Sequence, residues 1–286
     1  ILKSFENIGI YGVLILLLLG FTENILDSAS LKYSNTKKVS LWKVHSINSM
    51  GAMINSVFPW ELGEVAKGAL MKKDVSINDS VIGVVIYNFI FKFSKPVVIL
   101  FTIILALILR VNADIDLILI LIGASLVSFV PFFFIVFLFK FSITTMLLNK
   151  ISRLFKKDIS VFIKRLNNFE KTFDSFRKQR RGDFYRVLIF QLIARVISLV
   201  VFLCVAYMTG QNKETFALLC LANAGINLAN YITMLIPARL GVSESTSYLV
   251  FSMLGLDGGF GIMITLILRI KALFTHGISC LLLLFL

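Results

Sequence analysis

Two glutamates, Glu64 and Glu244, stand where a carboxylate is seldom found: between long apolar runs, just behind a Pro-x-x-Leu-Gly turn. The first copy reads Pro59-Trp60-Glu61-Leu62-Gly63-Glu64. The second reads Pro237-Ala238-Arg239-Leu240-Gly241, with Glu244 three residues later. An Asn-containing apolar segment precedes each copy (Asn48 and Asn55; Asn223, Asn227 and Asn230), and a lone cation follows inside the next apolar helix. Lys92 lies 33 residues after Pro59, and Arg269 lies 32 after Pro237. Proline suits the first turn of a helix, where its missing N–H costs nothing, and glycine permits tight bending. A helix starting at such a turn offers unsatisfied N–H groups and a partial positive charge, which suits an anionic headgroup such as a phosphate. Lys67, Lys92, Arg239 and Arg269 would add countercharge, and Asn55 and Asn230 complete the candidate substrate-binding set. Glu64 and Glu244 at membrane depth read as site residues, because a buried charge is expensive unless it is paired or faces water. A structural Glu–Lys/Arg pair pinning each turn fits the same residues, and the two roles are compatible.

Other chemistry is thinly represented. There are two histidines, His45 and His276, and neither has a second histidine at ligand spacing. No Gly-rich phosphate loop and no Asp-x-Asp occurs. Cys204, Cys220 and Cys280 lie in or beside apolar segments without metal-type spacing and read as small hydrophobes. No catalytic residue, metal or cofactor is expected.

The elements that must position the two glutamates are membrane helices. Of 286 residues 58% are hydrophobic and 16% charged, against about 45–50% and roughly 25% in soluble domains; mean hydropathy is +0.89. Leu117–Phe139 gives 23 consecutive uncharged residues and Phe216–Pro237 gives 22, each long enough to cross the hydrocarbon core as a helix. The candidate segments are Ile8–Phe21, Leu41–Phe58, Val81–Leu109, Leu117–Phe139, Val187–Thr209, Phe216–Ile236, Ser245–Leu256 and Phe260–Leu286, the last long enough to contain a break near Lys271–Gly277. The expected fold is an all-α polytopic membrane protein. It is an inverted-repeat helix bundle with two re-entrant hairpins, turning near Pro59 and Gly63 and near Pro237 and Gly241.

Charge sets the expected topology. The net charge of +13 clusters between hydrophobic segments, the positive-inside pattern, so it argues for a membrane and against a nucleic-acid partner. Residues 1–148 form the first repeat, 149–186 a basic linker and 187–286 the second repeat. Asn149–Arg186 holds 12 Lys+Arg against four acids. Its apolar residues (Ile159, Phe162, Ile163, Leu166, Phe169, Phe173, Phe176) recur at three- and four-residue steps, which predicts an amphipathic helix along a cytoplasmic membrane surface. Thr22–Lys43, with four lysines against two acids, and Lys72–Lys73 are expected on the same side. One full crossing between them cannot satisfy both, whereas a hairpin that descends through Leu41–Phe58 and returns through Glu64–Met71 can. No cleavable signal peptide is recognisable, and the expected location is the plasma (inner) membrane.

These residues resemble the flippase-like transmembrane domain of lysylphosphatidylglycerol synthases, which also has stand-alone relatives in lipid and surface-polysaccharide pathways. The first signature is similar to Asn55-Ser-Val-Phe-Pro59-Trp-Glu61-Leu-Gly63-Glu64-Val-Ala-Lys67, and the second to Pro237-Ala-Arg-Leu-Gly241-Val-Ser-Glu244 with a later helical Arg269. The chain departs from the pattern at Glu61 and Lys67, where arginines are usual, and at Lys92. The resemblance implies movement of an anionic or aminoacylated phospholipid, or a lipid-linked intermediate, between leaflets. The synthase domain has no counterpart here, so lysyl transfer is not expected of these residues. Two other classes stay open: a non-transporting membrane partner of a lipid-modifying or glycan-synthesis enzyme, and a membrane transferase acting on a lipid-linked substrate.

Overall fold

A computed structural model describes residues 2–35, 39–58, 62–72, 75–130, 180–212, 215–232 and 241–281, together with Phe176 and Lys178. Every regular element among them is helical: α1 Leu2–Ser34, α2 Leu41–Val57, α3 Leu62–Met71, α4 Ile77–Ile108, α5 Ile115–Val127, α6 Arg181–Met208, α7 Phe216–Ile232, α8 Val242–Met253 and α9 Gly258–Leu281. A backbone in hydrocarbon must satisfy its own N–H and C=O groups, and helices do so within one segment. Ile8–Ser34, Asp79–Ile108, Arg181–Met208 and Gly258–Leu281 are long and apolar enough to cross a membrane. Polarity is distributed as lipid demands. Ile10, Leu18, Ile104, Ile193 and Phe274 point outward, while Glu23, Asn24, Lys67 and Gln191 are buried. The chain is a multi-pass helical membrane protein.

The bundle is organised on α1 and α6, which run antiparallel. Arg180, capping α6, donates to the carbonyls of Tyr33 and Asn35 at the end of α1. Midway Arg195 meets Asp27, and at the far end Met208 lies against Gly12. The pair α2–α3 folds back on itself: Met71, closing α3, is buried in one cluster with Leu31 of α1 and Val44 at the start of α2. This hairpin therefore opens toward the end where α1 finishes and α6 begins. The pair α7–α8 also folds back, with Asn230 near Ser243 and Gly225 against Val250. Phe216, opening α7, lies in one groove with Met208, which closes α6. The second hairpin thus opens toward the opposite end. At 1.5 Å per residue α3 and α8 are only about 15–18 Å long, roughly half the hydrocarbon thickness.

Side chains fix where helices start. Ser40, Ser76 and Asp114 accept backbone N–H bonds at the beginnings of α2, α4 and α5. Helices meet closely where side chains are missing, as membrane packing favours. A Cβ on Gly63 would overlap the Gly51 carbonyl oxygen across the α2–α3 crossing, and one on Gly51 would collide with the Lys67 stem.

Several expectations need correction. The first segment continues well past Phe21, because residues 22–34 of the supposed basic stretch complete α1 and turn their acids inward. The break near Lys271–Gly277 does not occur: α9 is continuous from Gly258 to Leu281, since Lys271 finds a partner inside the bundle. The end of the expected linker, residues 181–186, belongs to α6. The rest of that linker lies outside the described residues, apart from Phe176, Lys178 and Arg180. Pro59, Trp60, Glu61, Lys73, Pro237 and Arg239 lie outside them too.

The α2–α3 crossing is directly testable. Gly63→Ala should cost about 1–3 kcal/mol through overpacking. Gly277→Ala in α9, where a Cβ meets open space, should be neutral or stabilising by less than about 1 kcal/mol. Equal thermal midpoints for both variants in detergent would contradict the close approach.

Candidate functional site

At the tip of the first hairpin, Glu64 is the third residue of α3, and its two oxygens tie three helices together. Oε1 accepts from Asn55 Nδ2 of α2 at 3.0 Å and from Lys67 Nζ at 2.7 Å. Oε2 accepts from Asn88 Nδ2 of α4 at 2.8 Å. Asn55 also accepts the Gly63 N–H at 2.7 Å, capping α3 with a side chain from α2. Lys67 is 3% exposed, and its ammonium lies 4.9 Å from the centre of the Tyr87 ring.

The second hairpin has a related tip. Glu244 is the third residue of α8; its Oε2 accepts the Gly241 N–H at 2.9 Å, and its Oε1 pairs with Arg269 Nη1 of α9 at 2.9 Å. Gly241 has φ 78, a conformation glycine adopts without strain. Asn230 accepts from the Ser243 hydroxyl at 2.9 Å. In both hairpins, then, an asparagine of the descending helix holds the first turn of the returning one. A glutamate at its third position reaches the next long helix, through Asn88 in α4 and Arg269 in α9. Lys92, paired with Arg269 by spacing alone, is half-buried one turn beyond Asn88. The N–H groups at both helix starts are partly occupied by these internal acceptors, so the tips are less open to an anion than the turn sequences suggest.

Between the hairpins lies a cluster that the repeat did not reveal. Arg195 of α6 binds Asp27 and approaches Glu23, both on α1, and Lys271 of α9 binds Glu23 Oε2 at 3.0 Å. All four side chains are largely buried, and their formal charges cancel. Lys67 at the first tip is buried as well and lies within electrostatic reach of Asp27. Arg269 stands two residues before Lys271, which places the two cations on different sides of α9. Several buried polar atoms here have no hydrogen-bond partner among the described residues: Asn24 Nδ2, Asp27 Oδ1, Ser49 Oγ, both amide atoms of Gln191, Arg195 Nε and His276 Nδ1. Gln191 is 0% exposed. Groups left this way in an interior call for water or ligand. His45 is anchored to Ser28, with Nδ1 at 3.2 Å from the hydroxyl, and Asn48 donates to the same oxygen. Cys204, Cys220 and Cys280 are free thiols.

A bundle with apolar outer faces and a charged interior is a membrane domain that buries polar groups between its helices. The chain belongs to the family described as the lysylphosphatidylglycerol synthase TM region, whose model matches residues 1–280. No curated protein and no solved structure matches it.

Removing one member of a buried ion pair strands the other. Arg195→Gln should therefore cost about 3–5 kcal/mol. Asp27→Asn combined with Arg195→Gln should cost less than the sum of the single changes by about 1 kcal/mol or more. Strict additivity in thermal or denaturant unfolding would show that the two side chains are not coupled.

Proposed function

We propose that the chain is a lipid translocase that moves an anionic or aminoacylated phospholipid, or a related lipid-linked intermediate, between leaflets. The observation that carries this reading is the set of polar groups placed within the bundle: Glu64 with Lys67 at one hairpin tip, Glu244 with Arg269 at the other, and Asp27, Glu23, Arg195 and Lys271 on α1, α6 and α9. Ionisable residues within a membrane bundle mark pathways more often than they serve as struts. Membership of a lipid-handling family supplies the class of cargo.

In this reading the halves are inverted repeats and each contributes a re-entrant hairpin. Antiparallel α1 and α6, and hairpins that open toward opposite ends, support it, as do the short α3 and α8. Inverted halves provide two related conformations by exchanging roles, the usual basis of alternating access. Glu64 and Glu244 pin the hairpins in one state and release them in the other. Lys67, Lys92 and Arg269, with Asn55 and Asn230, are the groups assigned to the passing headgroup, and Gly63 and Gly241 lie at the starts of the returning helices. The end where Lys32, Lys43, Arg181 and Arg186 gather is cytoplasmic by the positive-inside rule, and the membrane is the inner (plasma) one.

The test is transport in proteoliposomes containing a fluorescent phosphatidylglycerol, read by one-sided quenching. Wild type should make label on the protected side accessible. Glu64→Gln and Glu244→Gln should each slow this by more than about tenfold, a barrier change of roughly 1.4 kcal/mol or more, at undiminished expression. Unchanged rates in both variants would remove the proposed roles, and consumption of the lipid with a new product would favour a transferase.

A further inference from the structure

The chain has two histidines, far apart in sequence, and the fold brings both to the place where α1, α2 and α9 pack together. His45 is 1% exposed. Its Nδ1 lies 3.2 Å from the Ser28 hydroxyl oxygen, and the hydrogens around that oxygen fix the ring. A serine hydroxyl has one hydrogen to give and two lone pairs. Ser28 gives its hydrogen to the Asn24 carbonyl at 2.6 Å, and Asn48 Nδ2 donates to the Ser28 oxygen at 3.3 Å. In the remaining contact Nδ1–H of His45 must therefore donate, which leaves the lone pair of the neutral ring on Nε2. His276 of α9 has a buried Nδ1 with no hydrogen-bond partner among the described residues, and it lies within electrostatic reach of His45. One turn further along α9, Cys280 Sγ meets Met53 Sδ of α2 at 3.7 Å. On the α1 side a Cβ on Gly20 would press on Thr275 and Lys271. Two imidazoles thus share one polar interface, each with a nitrogen able to take a proton.

The charges around this pair come from five helices. Glu23 of α1, Lys67 of α3 and Lys271 of α9 lie within electrostatic reach of His276. Glu23 is bound by Lys271 at 3.0 Å and approached by Arg195 of α6, which also binds Asp27 of α1. Lys67 is engaged by Glu64. From α8, Glu244 is taken by Arg269, about two turns before His276. Lys43 stands two residues before His45, on a different side of α2. Glu23 and Asp27 balance Arg195 and Lys271, and Glu64 balances Lys67. A proton added to either imidazole therefore finds no spare counter-ion and draws on Glu23, in competition with Lys271.

We propose that His45 and His276 form a proton-binding site at the α1–α2–α9 interface, and that loading it loosens α9 from α1 and so links lipid movement to a proton gradient. The site stands on its own geometry, and only the link to lipid movement rests on the translocase reading. Imidazole is the side chain whose unperturbed titration falls between about pH 5 and 8, and ionisable chains inside membrane bundles serve as proton relays. The proton comes from water at one membrane face and forms an N–H bond at an imidazole lone pair. The same bond breaks when the proton returns to water at the other face. While it is held, its positive charge weakens the Glu23–Lys271 contact that closes α9 on α1. Because α2 and α3 meet backbone to backbone at Gly51 and Gly63, a change at His45 is passed to the first hairpin as a whole.

The first measurement is made on the full chain in detergent, carrying Trp60→Phe so that Trp42 is the one tryptophan left. Trp42 meets the His45 ring edge-on, with centroids 6.1 Å apart, and a protonated imidazole quenches a neighbouring indole. Its emission should fall in a reversible step on acidification from about pH 8. His45→Gln should abolish the step, and His276→Gln should move its midpoint by about one pH unit or more, a tenfold change in proton affinity. A flat signal, or a step that survives His45→Gln, would overturn the site. A midpoint unmoved by His276→Gln would overturn the pairing of the two rings. The second measurement uses phosphatidylglycerol proteoliposomes with an imposed pH difference. The gradient should change the rate of lipid movement by about threefold or more, and His276→Gln should remove that response. Movement indifferent to the gradient, with a normal Trp42 step, would overturn the link to transport alone. No movement with or without the gradient would remove the translocase, while a normal Trp42 step would leave the proton site standing.

Discussion

The Arg195 guanidinium is held between Asp27 and Glu23, with Lys271 closing the set from the other side of Glu23, and the remaining helices are arranged around that contact. In lipid, apolar contact alone specifies little about helix order, because the surrounding tails are as apolar as leucine. Buried charges behave differently. Each must meet its opposite or bear a large desolvation penalty, so two acids on α1, one cation on α6 and one on α9 permit essentially one register for the three helices. The other elements attach to the same centre. The Arg195 guanidinium sits 4.8 Å from the Phe91 ring of α4, and Ser28 of α1 meets His45 and Asn48 of α2.

Such a centre fixes register at the cost of leaving groups unmatched. Asp27 Oδ1, Arg195 Nε and the Gln191 amide have no hydrogen-bond partner among the described residues. A core built only for stability would replace these residues with apolar ones, since well-packed hydrophobic substitutes are often as stable as a buried ion network. Retaining both the charges and the unmatched atoms makes sense where the interior exchanges partners, with water or headgroup groups taking places that side chains hold in another state. The close glycine contacts act in the opposite sense. At Gly51 and Gly63 two backbones meet with no side chain between them, so the α2–α3 hairpin moves as one body if it moves at all.

The membrane class was legible because composition and uncharged run length report directly on the solvent a chain must meet. The fold-back of α2 on α3 and of α7 on α8 had a local signal, since Pro-x-x-Leu-Gly recurs between the helices of each pair and the glutamate after it is the third residue of the following helix. The charged centre was not legible, for a physical reason: its bonds join residues 168 and 248 positions apart, so no local spacing encodes them. The available signal was a single ionisable residue inside an apolar run, as at Arg195 and Lys271, with acids four residues apart at Glu23 and Asp27 to receive them. Reading Glu23 and Asp27 as part of a basic cytoplasmic stretch ended α1 too early, and the break allowed for near Lys271 is absent from α9. Both errors share one cause, which is that hydropathy counts a charge as exposed whether or not it has a partner. Matching the repeats by cation likewise favoured Lys92, whereas the bond that Glu64 makes to α4 goes to Asn88, whose amide reads as unremarkable in a sequence.

An electrostatic preference follows on the translocase reading. A helix start attracts anions when its N–H groups are bare, but Glu64 and Glu244 place negative charge in the first turns of α3 and α8 and engage the nearby cations themselves. A phosphate approaching either tip meets a carboxylate that must first be displaced from Lys67 or Arg269. The tips therefore favour the cationic portion of a zwitterionic or aminoacylated headgroup over its phosphate, and selection among lipids would come from the charge a headgroup presents to Glu64 and Glu244 rather than from the depth of any single pocket.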